Sequence, residues 1–96
     1  MVNYNGKNVI VTGASGGMGT LLCKQLAEQG AKLSLCSNQP EALAAQVEEL
    51  SKITEVFGKV IDITSEEEVA AFFAESYEKF GEYAAMANLA GVKRRF

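Results

Sequence analysis

Thr12-Gly13-Ala14-Ser15-Gly16-Gly17-Met18-Gly19 packs four glycines into seven positions, between an apolar run and an amphipathic one. Glycine loses more backbone freedom on folding than any other residue, so a cluster of them implies a need for bare backbone. Anion binding supplies that need. The first glycine lets the chain turn sharply off a strand. Gly17 lets the backbone approach a pyrophosphate with no Cβ in the way, and Gly19 lets the following helix pack close to the sheet. That helix start then offers unpaired N–H groups and a partial positive charge to the phosphates. A glycine-rich turn without a ligand is the plainer alternative, and the flanking elements decide between the two.

Those elements alternate regularly. Lys7–Gly13, with Val9, Ile10 and Val11 β-branched in succession, reads as a buried parallel strand. Met18–Gln29 reads as a helix with Met18, Leu22 and Leu26 on its apolar face, Leu21 beside them, and Gly30 placed to end it. AKLSLCS is a second strand. Asn38 as N-cap and Pro40 as an early helix position open a second helix with Leu43, Val47 and Leu50 as its stripe. TEVFGKVIDIT is a third strand ending near Asp62. Thr64 or Ser65 caps a third helix whose first turn holds three glutamates, whose buried face is Val69, Phe72, Phe73 and Tyr77, and which Gly81 ends. YAAMANLAG is a fourth strand closing at Gly91. The order β-α-β-α-β-α-β implies an α/β fold, a three-layer Rossmann-type parallel sheet in truncated form. Ninety-six residues make one such partial domain, residues 1–96, with a basic tail at 93–96.

Composition excludes other chemistries. There is no histidine and there are only two cysteines, so a zinc-type metal site is not expected. Cys23 falls in a helix pattern and Cys36 at a strand end, positions of small buried hydrophobes rather than a disulfide framework. A net charge of −3 argues against nucleic acid, and the cations of the tail read as a solvated chain end. No apolar run follows Met1, and none approaches the roughly 18 residues of a membrane helix, so a cytoplasmic protein is expected.

TGASGGMG resembles the T-G-x-x-x-G-x-G signature of the short-chain dehydrogenase/reductase family. The likeness runs from about residue 5 to 92. Asp62 in VIDIT sits where that family places an aspartate near the adenine ring, and Asn88-Leu89-Ala90-Gly91 resembles its N-N-A-G segment, with Leu89 in place of the second asparagine. CSNQPEAL resembles its loop after the second strand. The resemblance implies a nicotinamide dinucleotide held by Thr12, Gly13, Ser15, Gly16, Gly17, Met18, Gly19, Ser37, Asn38, Asp62, Ile63, Asn88, Ala90 and Gly91. An acidic residue about twenty positions beyond the glycine loop would bind the ribose 2′-OH of NAD. Ser37 and Asn38 stand there with no carboxylate, which favours NADP over NAD, although the family's usual NADP arginine is Asn38 in this chain. Glu41 is open to two readings, an acidic ribose partner or a charge that complements the helix dipole.

The family's catalytic tyrosine and lysine are spaced Tyr-x-x-x-Lys and act with a serine. Tyr4, Tyr77 and Tyr83 are followed four residues later by Asn8, Gly81 and Ala87, so this sequence offers no catalytic set. GVKRR resembles the segment after the fourth strand in gluconate-type members, which implies that Arg94 or Arg95 meets a substrate carboxylate. The expected function is the dinucleotide-binding half of a short-chain oxidoreductase, inactive alone. Two alternatives stand beside it: one half of a split enzyme, and an interaction module that self-associates through a bare fourth strand as a dimer or larger homo-oligomer.

Overall fold

A computed structural model describes residues 4–88, with the Asn88 side chain outside the description. The expected contributions of Ala90, Gly91, Arg94, Arg95 and the basic tail therefore lie outside the described residues. The elements are β1 (Asn8–Thr12), α1 (Gly17–Glu28), β2 (Lys32–Ser37), α2 (Pro40–Ser51), β3 (Val56–Val60), α3 (Glu66–Phe80) and β4 (Tyr83–Asn88). The four strands pair in parallel in one sheet of order β3-β2-β1-β4. Val9 lies opposite Leu33 and Ala85, and Thr12 opposite Cys36 and Asn88.

Side chains alternate across a strand, so β1 and β2 feed two cores. Val9, Val11, Leu33 and Leu35 meet Cys23, Leu26 and Ala27 of α1 and Leu43 and Leu50 of α2. Ile10 and Cys36 turn to the other face, where they meet Ile61 and Phe72, with Phe57, Val69 and Phe73 packed around them. Crossover handedness explains the division. The first two crossovers step outward from β1 to β2 to β3, and the third steps back past β1 to β4, so a constant right-handed connection puts α3 on the opposite face. Phe72 is fully buried, stacked on Phe57 at 5.7 Å and edge-on to Phe73 at 5.8 Å. A buried polar knot completes that layer. The Asn8 amide donates to Ser76 Oγ (2.9 Å) and to the Gly81 carbonyl (3.2 Å), while its oxygen accepts from Ser34 Oγ (2.8 Å).

Several expectations need correcting. Met18 and Leu21 are 66% and 61% exposed, and the buried stripe of α1 is Gly19, Cys23, Leu26 and Ala27. The close approach at Gly19 turns small residues to the sheet and carries the two bulky ones outward. Tyr77 is also exposed, because the polar knot takes Ser76 into the slot one turn beyond Phe72. The N-cap of α2 is Gln39, not Asn38, since Pro40 occupies the first helical turn. Ser65 is the cap of α3, and Gly81 ends that helix at φ 82°.

Candidate functional site

The turn off β1 is held to β2. Gly13 and Ala14 both donate their N–H to the Cys36 carbonyl, at 3.0 and 3.1 Å. Gly13 has φ 69°, a left-handed conformation that favours glycine. Its carbonyl accepts from Gly16 N at 3.3 Å, and Gly16 serves as N-cap of α1 without a side-chain bond to any first-turn N–H. The first turn of α1 carries no acidic residue. A Cβ on Gly17 would meet nothing within 4 Å, whereas one on Gly19 would lie 2.5 Å from the Ala14 carbonyl oxygen. Gly17 therefore keeps the approach open while Gly19 lets the helix close on the loop.

These groups border a cleft of about 460 Å³ at the carboxyl ends of β1, β2 and β3. Gly13, Ser15, Gly16, Gly17, Met18 and Gly19 form one side, and Ser37 and Asn38 form a second. Asp62 and Ile63 form the far end. Ten of the fourteen residues expected from sequence thus come together. Thr12 does not line the cleft: it is buried at the end of β1. Asn88 is placed by its backbone opposite Thr12. A larger hollow of about 620 Å³ lies between α3 and the amino end of β4, lined by Phe73, Tyr77 and Tyr83. Open α/β sheets take ligands at the carboxyl ends of their strands, which makes the smaller cleft the candidate.

Cys36, Gln39, Ile61 and Thr64 also line the cleft and are not among the site residues expected from sequence. Gln39 matters most. The Ser15 hydroxyl donates to Gln39 Oε1 (3.0 Å) and shares a 2.5 Å bond with the Ser37 hydroxyl, whose oxygen accepts from Gln39 N (3.0 Å). A hydroxyl has one hydrogen, so with Ser15 donating to Gln39, Ser37 donates to Ser15. This ring ties the glycine loop to the turn after β2. The signal in the sequence was Pro40: it makes the preceding residue the helix cap and so brings Gln39 to the cleft.

Asp62 is fully exposed, and its Oδ1 accepts from Thr64 N (3.0 Å) and Thr64 Oγ1 (2.7 Å). The Thr64 hydroxyl and then its backbone N–H lower the Asp62 pKa below its usual 3.8, so the carboxylate is charged at neutral pH. Burial pushes the Cys36 thiol up to about 11, against a smaller lowering by the Gly13 backbone, and the Cys23 thiol up to about 12. Both stay protonated, which removes them as nucleophiles.

A family model described as short chain dehydrogenase matches residues 7–96. The chain is 34% identical over 94 residues to an uncharacterized oxidoreductase of Staphylococcus saprophyticus, covering 96% of this chain and 40% of that protein. The chain spans 35–40% of the length of the first curated relatives it matches. Among solved structures, NAD+-bound xylitol dehydrogenase aligns with TM-score 0.84 and 31% identity over 88% of this chain and 33% of its own. An actinorhodin polyketide ketoreductase with NADPH aligns with TM-score 0.81 and 28% identity over 85% and 32%.

Proposed function

Because this chain belongs to the short-chain dehydrogenase family, we propose that it is the dinucleotide-binding part of an oxidoreductase of that family. The observation that carries the reading is the start of α1: no side chain caps it, no carboxylate shields it, and Gly17 leaves it open to the cleft. The N–H groups of Gly17, Met18 and Gly19 would hold the pyrophosphate. Ser15, Ser37, Asn38 and Gln39 would hold the adenosine ribose, and Asp62 and Ile63 the adenine; the family resemblance assigns Asn88, Ala90 and Gly91 to the same cofactor. Relatives hold NAD+ or NADPH, and hydride transfer is the chemistry such a cofactor supplies. This chain's residues bind and orient it.

NADP is the proposed preference over NAD. No carboxylate stands at residues 37–39 to repel a 2′-phosphate, and exposed Glu41, in the first turn of α2, reads as a dipole-complementing charge. The Ser15–Ser37–Gln39 ring limits that preference, since both hydroxyl hydrogens must leave existing bonds to face a phosphate. Nicotinamide fluorescence and melting temperature, followed as NADPH or NADH is added, test the reading. Saturable binding, tighter for NADPH and without turnover of carbonyl substrates, is expected. Absence of binding by both overturns it.

The proposal extends to location and assembly. No helix among the described residues is long and apolar enough to cross a membrane, and we place the protein in the cytoplasm. Tyr83–Asn88 carries no charged residue and, among the described residues, pairs only with β1. An apolar edge of that kind favours self-association. A sedimentation coefficient that rises with concentration is expected, and a constant monomer value removes this part.

A further inference from the structure

We propose that Gln46 is a positioning residue for the glycine loop: from α2 it holds the Ala14 carbonyl and so fixes where the α1 N-terminus points. The proposal rests on reading the cleft as a dinucleotide site. Gln46 stands on the apolar stripe of α2, three residues after Leu43 and four before Leu50, and is nine-tenths buried. Its Nε2 donates to the Ala14 carbonyl at 2.9 Å. Its Oε1 is buried with no partner among the described residues. An apolar side chain would suit that stripe, and an amide with half its hydrogen bonding unmet weakens the fold. Packing alone therefore does not account for glutamine here, and the one group its amide reaches belongs to the loop.

The grip lands at a decisive point. The Ala14 N–H is held by the Cys36 carbonyl of β2, and the Ala14 carbonyl by Gln46 of α2, so the middle of the loop is anchored from two elements. The same carbonyl oxygen is the atom that a Cβ on Gly19 would strike at 2.5 Å. The oxygen thus lies between α2 on one side and the first turn of α1 on the other. If it shifts, the N–H groups offered to the cleft shift with it.

Gln46→Met keeps length and burial and removes both the grip and the orphaned oxygen. Leu43→Ala is its comparison, an apolar truncation on the same helix face. The whole chain is used for each, with NADPH as probe well below the melting temperature and amide hydrogen exchange read at Gly13 and Ala14. Q46M is expected to keep a near-normal melting temperature, to exchange both amides roughly tenfold faster, and to bind NADPH roughly tenfold more weakly. L43A is expected to melt lower while its loop exchange, relative to β1, and its affinity stay within about twofold of the unaltered chain. Unchanged exchange and affinity in Q46M overturn the positioning role and leave the cleft reading intact. Failure of the unaltered chain to bind NADPH or NADH overturns the cleft reading and this proposal with it. Should Q46M lose its cooperative melt, Gln46→Asn, which draws the amide back from Ala14, is read by the same two measurements and the same outcomes.

Discussion

Two helix starts in this molecule solve the same physical problem in opposite ways. Each leaves N–H groups without an intrahelical partner and a partial positive charge. At α3 the chain supplies a cap and a countercharge of its own. Ser65 Oγ accepts from Glu68 N, Glu68 Oε1 accepts from Asp62 N, and Glu66, Glu67 and Glu68 crowd the first turn. At α1 Gly16 offers no side chain, the first turn has no acid, and the donors face a cleft. The α3 start is built for local stability. The α1 start forgoes that stability, and on the proposed reading an anion from outside the chain restores it.

The largest test breaks the geometry at α1. Gly19→Ala puts a Cβ 2.5 Å from the Ala14 oxygen and 2.8 Å from the Gly13 oxygen, both backbone atoms that move only if the loop moves. We expect a loss of roughly 1–3 kcal/mol in denaturant unfolding and no measurable dinucleotide binding. Normal binding by G19A would mean that the loop tolerates displacement, and the contrast with α3 would lose its structural basis.

A subtler change converts one start into the other. Gly16 has extended backbone (φ −74°, ψ 174°), and a Cβ there would meet only the Gly13 oxygen at an ordinary 3.7 Å. Gly16→Asp therefore supplies the missing cap. Stability should rise by about 0.5–1 kcal/mol. NADPH affinity should fall at least about tenfold, because a carboxylate now occupies the place of the phosphate. A melting temperature and an affinity that move in the same direction would contradict the trade between the two starts. The mirror change, Ser65→Ala, should cost about 1 kcal/mol in unfolding and leave affinity for the folded chain unchanged.

What the sequence disclosed follows the same division. Rules that depend on neighbours along the chain were legible: the strand, glycine turn and helix of the site, a cap at Thr64 or Ser65 followed by glutamates, and the glycine that ends α3. The sheet and its crossover pattern followed from the alternation of elements. Readings that depend on how closely two elements approach were not. Helical spacing puts Met18, Leu22 and Leu26 on the apolar face of α1 with Leu21 beside them; Leu26 is buried, but contact at Gly19 turns the helix so that Cys23 and Ala27 face the sheet while Met18 and Leu21 are exposed. Tyr77 was assigned to the core of α3, where the Asn8–Ser34–Ser76 knot brings a serine inward instead. The part of the site formed by Gln39 depends on a side chain reaching across to Ser15, a contact that spans 24 residues.

The smallest expected effect isolates the carboxylate beside α3. Thr64 donates its N–H and its hydroxyl to Asp62 Oδ1, and these bonds hold the Asp62 pKa below 3.8. A carboxyl group whose folded pKa is depressed stabilises the fold above its unfolded pKa and loses that contribution as pH falls through the folded value. Thr64→Val removes the hydroxyl and keeps the backbone donor. Its melting temperature should lie slightly below that of the unaltered chain at pH 5–7, by no more than about one degree for so exposed a group. The gap should close as the pH falls below 3.8 and the carboxylate is protonated in both proteins. A gap that persists at pH 2 would show that the hydroxyl acts through packing rather than through Asp62. The α3 start would then depend on Ser65 and its glutamates alone. A gap that closes would extend the self-contained character of that start to the carboxylate at the lip of the cleft.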